Sequence, residues 1–278
     1  MCSYSSIELN SPVDAWYGQG IALYDIGRYR GALAKFDQVL IQQPGHAEAW
    51  TYRGYALIEL EAYSSAEESF KTVLLINDQS ALAWHGLGIV QAKQGVYEAA
   101  ITSFEQAVSL NPNDGKALYN LAHAQLRLKQ FKNAIASFDQ SLARRPHSYH
   151  AWYNRAVALA ALRRYEQAIH SLDAALNLKP DCHYAWNYRG FVLNTLKRFD
   201  EAIASFDSAL QHRPNNANAW YGRAVSYALQ GQAEASAQNL QRVLQLSPKL
   251  FHNKVETDPL FTQVRAAVSV RSLIRDSA

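Results

Sequence analysis

The chain has 278 residues, of which 49% are hydrophobic, and its 27 Lys and Arg against 24 Asp and Glu give a net charge of +3. This length allows one large or two ordinary domains, and so small a charge, with no basic stripe, argues against a nucleic-acid-binding protein. The two cysteines, Cys2 and Cys182, form no CxxC pair, which favours a reduced protein over a disulfide-bonded one.

Residues 1–12 form a short N-terminal extension that lacks the basic and apolar regions of a secretory signal peptide. No stretch of the chain approaches the length of about 18 apolar residues that a membrane-spanning helix needs. We therefore expect a soluble, cytoplasmic protein. The extension is too short to form a cap, so the N-terminal end of the folded region is either frayed or covered by a partner or a second copy.

One pattern recurs every 34 residues from residue 13 to residue 250 without an insertion. Its first copy contains Trp16, Gly20, Ala32, Phe36 and Pro44, and the later copies place similar residues at the same offsets, except that Asp78 replaces the closing Pro once. Small residues let two facing helices approach closely, and Pro ends the second helix of each pair. The pattern therefore predicts fourteen helices in seven pairs, with a short turn inside each pair.

The spacing of Trp, Gly or Ala, Ala, Phe and Pro over 34 residues resembles that of the tetratricopeptide repeat family. The resemblance implies an all-α fold, a right-handed superhelical α-solenoid whose first helices line a concave groove and whose second helices form the convex face. Its seven repeats would span 13–46, 47–80, 81–114, 115–148, 149–182, 183–216 and 217–250.

Residues 251–278 come after the last repeat, and part of this segment has the pattern of one more amphipathic helix. Thr257 is a candidate N-cap and Pro259 suits the first turn, while Leu260, Phe261, Val264, Val268 and Leu273 form an apolar stripe. A partner-binding helix would look the same, but the exposed end of a repeat array must be covered. We therefore predict a C-terminal capping helix at about 259–274.

Four repeats carry an Arg three residues after the Trp, where the family usually places Leu. They are Arg53, Arg155, Arg189 and Arg223, and sixteen residues before them stand Asp37, Asp139, Asp173 and Asp207. The repeats with Leu87 and Leu121 have no Asp at that earlier position. We predict that each Asp, late in one second helix, bonds the Arg of the next first helix. Recent duplication of both residues together is the alternative.

The sequence carries no motif for catalysis, which predicts that the protein is not an enzyme. It contains no GxGxxG, Walker, HExxH or GxSxG motif. Cys182, His183, His147 and His150 come nearest to a metal-ligand set, but a zinc site needs four ligands at defined spacing. Solvated loop residues are the better interpretation of these four, so we expect neither a metal nor a cofactor.

The leading functional hypothesis is a protein-interaction scaffold or adaptor that binds a peptide segment or a protein surface in its concave groove. Two alternatives stay open: an assembly factor for a larger, membrane-bound or soluble complex, and a regulatory array that acts on a separate enzyme. Self-association through the uncapped N-terminal end also stays open. All three hypotheses predict a protein partner whose identity the sequence does not reveal.

The resemblance assigns groove positions to one face of the first helices. The residues at or beside these positions are Asp14, Tyr17, Glu48, Tyr55, His85, Lys93, Lys116, Tyr119, Asn120, His123, Arg127, His150, Tyr153, Asn154, Tyr184, Asn187, Phe191, Asn194 and Tyr221. Their order is acidic, then basic, then aromatic and amide, which predicts a partner with an acidic group near Lys116 and Arg127. The family's carboxylate clamp is not matched, because Asn120 stands where that clamp needs Arg.

Overall fold

The computed structural model describes residues 11–262 and 264, and the regular structure of these residues is entirely helical. The first helices of the seven predicted pairs are α1 (Pro12–Asp25), α3 (Ala47–Glu59), α5 (Ala81–Lys93), α7 (Gly115–Arg127), α9 (Tyr149–Ala161), α11 (His183–Thr195) and α13 (Ala217–Leu229). The second helices are α2 (Tyr29–Gln42), α4 (Tyr63–Ile76), α6 (Tyr97–Leu110), α8 (Phe131–Arg144), α10 (Tyr165–Leu178), α12 (Phe199–His212) and α14 (Ala233–Leu246). The prediction of fourteen paired helices is confirmed.

The chain divides into two compact units between Arg144 and Arg145. The first unit holds α1–α8, and the second holds α9–α14 and the elements after them. Inside each unit every helix packs on the next helix along the chain, which gives two stacks of helix pairs. The predicted superhelical curvature and the concave groove stay predictions. Over the described residues, none of the helices combines the length and the apolar character needed to cross a bilayer.

A single residue in the left-handed conformation reverses the chain inside every pair. These residues recur every 34 positions, with φ between 58° and 83°: Gly27, Glu61, Gly95, Lys129, Arg163, Lys197 and Gly231. The first helices mostly begin with a side-chain cap, as at Ser80 and Asp114, whose oxygens accept from backbone N–H groups of α5 and α7. The left-handed residue gives every pair the same turn, and the cap gives most of the first helices the same start.

The buried phenylalanines of the second helices pack against glycines of the first helices. A Cβ atom added to Gly54 would lie 2.6 Å from the Phe70 ring, and one added to Gly86 would lie 2.3 Å from the same ring. The Phe70 ring is therefore held between α3 and α5, at glycines that no larger residue could replace without a shift. The small residue of the repeat makes room for this ring. From the sequence we expected only that small residues let two helices approach closely, whereas the structure shows a contact with one particular side chain.

In five repeats the tryptophan fastens the first helix to the loop before it. Trp50 Nε1 donates to the Pro44 carbonyl oxygen at 2.8 Å, and Trp84 Nε1 donates to the Asp78 carbonyl oxygen at the same distance. Because the acceptor is a backbone carbonyl, Asp78 serves as well as the Pro found in the other repeats. This contact explains why the second repeat tolerates Asp78 in place of the closing Pro.

Arg–Asp pairs join consecutive repeats inside each unit, as predicted. Arg53 Nε donates to Asp37 Oδ1 at 2.8 Å in the first unit. In the second unit, Arg189 Nε donates to Asp173 Oδ1 at 2.7 Å, and Arg223 forms an ion pair with Asp207. Three of the four predicted pairs are confirmed. The fourth, Arg155 with Asp139, would span the two units and stays a prediction.

The C-terminal segment differs from the prediction. A helix that we did not predict, α15 (Pro248–Thr257), comes after the last repeat, and a 3₁₀ turn occupies Pro259–Phe261. Thr257 ends α15, and Asp258 caps the 3₁₀ turn by accepting from the Leu260 N–H at 2.9 Å. The assignment of Thr257 as the N-cap was therefore wrong.

The elements after the last repeat do cover its apolar side. Phe251, Val255, Phe261 and Val264 are buried in one cluster with Leu240 of α14. The capping role is thus performed by α15 and the 3₁₀ turn over the described residues, and the remainder of the predicted helix, with Val268 and Leu273, lies outside them.

Candidate functional site

The acidic residues predicted near the start of the groove have different surroundings. Asp14 completes a capping box, since its Oδ2 accepts from the Ser11 N–H at 3.1 Å and from the Ser11 hydroxyl at 2.8 Å. The Glu48 side chain is 70% exposed and lies 3.2 Å from His46 Nδ1. Asp14 therefore has a structural role at the first helix, and Glu48 is the acidic group left on the surface of this region.

Tyrosine rings pack beside Glu48 on the first repeats. The Tyr17 ring lies 4.9 Å from the His46 ring and 6.2 Å from the Tyr52 ring. Burial raises the pKa of Tyr17 to about 12, and Tyr52 and Glu48 add to this shift. Tyr55 is also engaged, because its hydroxyl donates to the Leu82 carbonyl oxygen at 2.9 Å and so links α3 to α5. These phenols stay neutral and act as packing and hydrogen-bonding groups.

A recess of about 440 Å³ opens between α5, α6 and α7 in the middle of the first unit. Its lining is Ile89, Ala92, Lys93, Tyr97, Phe104, Asn120 and His123. We call this cavity the central recess. The buried Phe104 closes its base with apolar surface, whereas Asn120 and His123 present polar atoms on the α7 side. The structure thus brings together three of the predicted groove residues, Lys93, Asn120 and His123.

Two neutral histidines lie near Asn120: His85, which is buried on α5, and His123, which lines the central recess from α7. The Asn120 amide nitrogen lies 2.9 Å from His85 Nε2 and can only donate, so this ring nitrogen accepts and the proton sits on Nδ1. Burial lowers the pKa of His85, with Asp114 opposing the shift and Lys116 adding to it. Burial also lowers the pKa of His123, and Arg127 lowers it further.

Three basic side chains lie at or near the central recess: Lys93 lines it, and Lys116 and Arg127 are on α7, which also carries the lining residues Asn120 and His123. Lys93, Lys116 and Arg127 are exposed, and the Arg127 guanidinium lies 5.0 Å from the centre of the Tyr97 ring. Asp114 is nearby, but its Oδ1 accepts from the backbone N–H groups of Lys116 and Ala117 as the cap of α7. The net electrostatic character of the rim is positive.

Four residues that line the central recess were not predicted from the sequence: Tyr97, Ile89, Ala92 and Phe104. Tyr97 is the first residue of a second helix, so a search restricted to first helices could not find it. An aromatic residue also opens α2, α4, α8, α10 and α12, and this recurrence is the signal that could have drawn attention to it. Tyr119, which was predicted, stacks on His123 at 6.3 Å and packs on Phe138 at 5.9 Å.

The second unit carries an aromatic cluster, which we call the tyrosine cluster: the predicted groove residues His150, Tyr153 and Tyr184, together with Tyr188, which was not predicted. The Tyr153 and Tyr184 rings meet edge to face at 4.8 Å, and the Tyr184 hydroxyl lies 3.5 Å from His150 Nδ1. Tyr188 lies 6.0 Å from Tyr153 in a similar orientation. Such rings offer a large contact area at low entropic cost.

Other predicted residues of the second unit are used by the fold. The Asn194 amide donates to the Gly222 carbonyl oxygen at 3.3 Å and accepts from Ser226 at 2.8 Å, which ties α11 to α13. Tyr221 packs on Phe251 and Phe261 and is covered by the C-terminal segment. Asn194 and Tyr221 therefore stabilise the second unit.

Phe191, Asn187 and Asn154 complete the predicted set. Phe191 is half-buried and meets the buried Phe206 ring edge to face at 5.5 Å. Asn187 Oδ1 is buried and has no hydrogen-bond partner among the residues that the structure describes, and Asn154 is half-buried on α9. The surface available on α9 and α11 is therefore mainly the tyrosine cluster.

The described residues contain no group of three or more His, Cys, Asp and Glu side chains placed to hold a metal ion. Cys182 is a free, buried thiol beside the start of α11, and Cys2 lies outside the described part of the chain. The arrangement of His147, His150, Cys182 and His183 therefore offers no metal site.

Comparison of the sequence with protein families identifies the class. The profile described as "Tetratricopeptide repeat" matches residues 17–81, 85–149, 119–181, 153–217 and 195–250. These matches cover most of the chain, so the protein belongs to the tetratricopeptide repeat family. No curated protein matches the sequence.

Solved structures of other repeat proteins share the fold. The C-terminal part of a tetratricopeptide repeat protein from Cytophaga hutchinsonii has a TM-score of 0.67 at 16% identity and covers 84% of this chain and 96% of its own. YrrB, described as a tetratricopeptide repeat protein with an unusual peptide-binding site, has a TM-score of 0.61 at 19% identity, covering 72% of this chain and 100% of its own. MamA from Desulfovibrio magneticus RS-1 has a TM-score of 0.58 at 20% identity, with coverages of 61% and 96%.

Proposed function

We propose that this protein is a non-enzymatic scaffold that binds a segment or surface of a protein partner along its first helices. Membership of the tetratricopeptide repeat family supports the general class of protein-interaction module. The peptide-binding site named for YrrB supports it by analogy of fold. Binding, and not catalysis, is the role for which these helices provide suitable surfaces.

The observation that carries the proposal is the tyrosine cluster on α9 and α11. Tyr153 and Tyr184 support each other edge to face while both remain partly exposed, which is the state of a rigid aromatic contact surface. Residues of this kind often supply most of the binding energy of an interface. The cluster is therefore the expected anchor for the partner in the second unit.

Copurification of the full chain from its native host, followed by mass spectrometry, tests the proposal. We expect a protein partner that remains bound to the parent chain and binds Tyr153→Ala at least about five-fold more weakly, because truncation of an aromatic anchor costs more than about 1 kcal/mol. Tyr153 is preferable to Phe191 for this test, since Phe191 also supports the buried Phe206.

Tyr227→Ala is the matched control, because Tyr227 is a half-buried tyrosine of the same unit that lies on α13, outside the tyrosine cluster. Its affinity should equal that of the parent. Equal affinity of the parent and Tyr153→Ala for the partner would move the site away from the tyrosine cluster and contradict the proposal.

A further inference from the structure

The central recess has the dimensions of a ligand site and an asymmetric chemistry. Its volume of about 440 Å³ falls within the range of about 300–1,000 Å³ that is common for bound ligands. The base is apolar, with Ile89 and Phe104, whereas Lys93 stands at its edge. A cavity of this shape favours an occupant with an apolar end held inside and a polar end held at the mouth.

The charges near the recess indicate which charge the polar end of the ligand should carry. Lys93, Lys116 and Arg127 are all exposed around the recess, and none of the ion pairs found among the described residues involves them. On the opposing side, Glu98 is an exposed acid next to Tyr97, and the Asp114 carboxylate is held by the backbone of α7. The Asp114 carboxylate keeps its charge as a cap, so three cations face two carboxylates, and the excess of positive charge favours an anionic ligand.

The polar groups of the recess wall favour a peptide over a simple hydrophobic molecule. Asn120 and His123 line the wall, and the Asn120 amide is held in place by its contact with His85 Nε2 at 2.9 Å. The amide oxygen of Asn120 is left to accept from a peptide N–H, because its nitrogen is directed at His85. His85, itself buried against Phe104 at 5.8 Å, fixes this orientation.

We propose that the central recess binds an apolar residue of a partner segment, either aromatic or aliphatic, that is followed directly by an acidic residue. The apolar side chain enters between Ile89 and Phe104, and the carboxylate lies among Lys93, Lys116 and Arg127. This inference rests on the proposed function, since it assigns one subsite of the same interaction surface.

A dipeptide probe tests this subsite without knowledge of the partner. N-acetyl-Phe-Glu-amide is titrated into the full chain, and the δ1 methyl resonance of Ile89 is followed by NMR, with Ile169 of the second unit as the internal reference. We expect the Ile89 resonance to shift in a saturable manner and the Ile169 resonance to stay unchanged. N-acetyl-Phe-Gln-amide, which has the same shape without the charge, should bind about three-fold or more weakly.

Two charge reversals of exposed lysines complete the experiment. Lys93→Glu should weaken binding of the acidic probe by about five-fold or more, whereas Lys132→Glu, an equally exposed lysine on α8 that does not line the recess, should leave it unchanged. Equal binding of the two probes, equal binding to the two variants, or no shift of Ile89 would each overturn the subsite. If the dipeptide test fails but Tyr153→Ala still weakens binding of the native partner, the subsite is refuted and the proposed function stands.

Discussion

Arg189 of α11 and Asp173 of α10 form a directed ion pair between consecutive repeats, with Nε and Oδ1 2.7 Å apart. The same guanidinium donates through Nη1 to the Ser205 hydroxyl at 2.8 Å and lies 5.9 Å from the Trp186 ring centre. Arg189 therefore joins three helices, α10, α11 and α12, at one point. Its side chain is only 17% exposed, whereas that of Asp173 is 45% exposed.

The difference in exposure between Arg189 and Asp173 predicts that their substitutions have unequal effects on stability. Arg189→Met should lower the free energy of unfolding by about 1–3 kcal/mol, because the hydrogen bonds to Asp173 and Ser205 are lost together. Asp173→Asn should cost less than about 1 kcal/mol, since an exposed carboxylate gains little from pairing. Urea denaturation measures both, with the exposed Arg145→Met as the control. A larger loss for Asp173→Asn would contradict the central role of the guanidinium.

The glycines at equivalent repeat positions 18 and 86 should respond in opposite ways to replacement by alanine. A Cβ atom at Gly86 would meet the Phe70 ring at 2.3 Å, whereas one at Gly18 would have nothing within 4 Å. Gly86→Ala should therefore destabilise the protein by about 1–3 kcal/mol through overpacking. Gly18→Ala should stabilise it by about 0.5–1 kcal/mol through helix propensity. Equal denaturation midpoints for the two variants would show that the Phe70 contact is not restrictive.

The left-handed turn residues allow a second matched comparison. Lys129 and Gly95 occupy the same repeat position with φ of 58° and 83°. Lys129→Gly should stabilise the first unit by roughly 0.5–1 kcal/mol, since Gly adopts this conformation without a Cβ penalty, and Gly95→Ala should destabilise it by a similar amount. Thermal denaturation of the full chain checks both signs. Destabilisation by Lys129→Gly would mean that the Lys side chain contributes more than the backbone conformation does.

His85 and His123, which lie near and in the central recess, predict that the stability of the protein depends on pH. Burial lowers the folded-state pKa of both His85 and His123 below the ordinary value near 6.5. The unfolded chain then binds more protons in mildly acidic solution, so stability is present above about pH 6.5 and falls as the pH decreases below this value. Melting temperatures between pH 7.5 and 5 should fall, and they should fall less steeply for His85→Gln. A steeper decline in that variant would contradict the assignment to His85.

Lys116 should influence how fast a partner associates more than how long it stays bound. Its exposed charge near the central recess can steer an acidic segment, and this attraction is screened by salt. With the copurified partner, Lys116→Glu should slow association several-fold at low ionic strength and reduce the salt dependence of the rate. Lys132→Glu is the control in stopped-flow measurements. An unchanged association rate would remove Lys116 from the interaction surface.

The repeat architecture was predictable because its constraints are local and periodic. The contacts of Gly54 with Phe70 and of Arg53 with Asp37 each join two residues that are sixteen positions apart. Because similar contacts return in other repeats, one rule covers many pairs. The C-terminal segment belongs to no repeat. Asp258 rather than Thr257 became the cap, because Thr257 is still the last residue of α15, a helix that the pattern did not reveal.

The groove residues were harder to predict, because the helix face on which a residue lies does not determine whether its side chain is free to contact a partner. Asn194 and Tyr221 lie on first helices as expected, but neighbouring elements already occupy their polar atoms or rings. Conversely, Tyr97 takes part in the central recess from a second helix, which a rule confined to first helices omits. Only the packed neighbours decide which groove positions can accept a partner.

The repeats that form the central recess are those in which Leu87 and Leu121 replace the junction arginine. Their serines at the corresponding place bond neutral amides instead, with Ser103 donating to Gln91 at 2.7 Å and Ser137 donating to Gln125 at 2.9 Å. Added electrolyte weakens ion pairs but leaves neutral hydrogen bonds and apolar packing largely unaffected. The shape of the recess should thus be indifferent to ionic strength, while any charged ligand drawn to its mouth would remain sensitive to it.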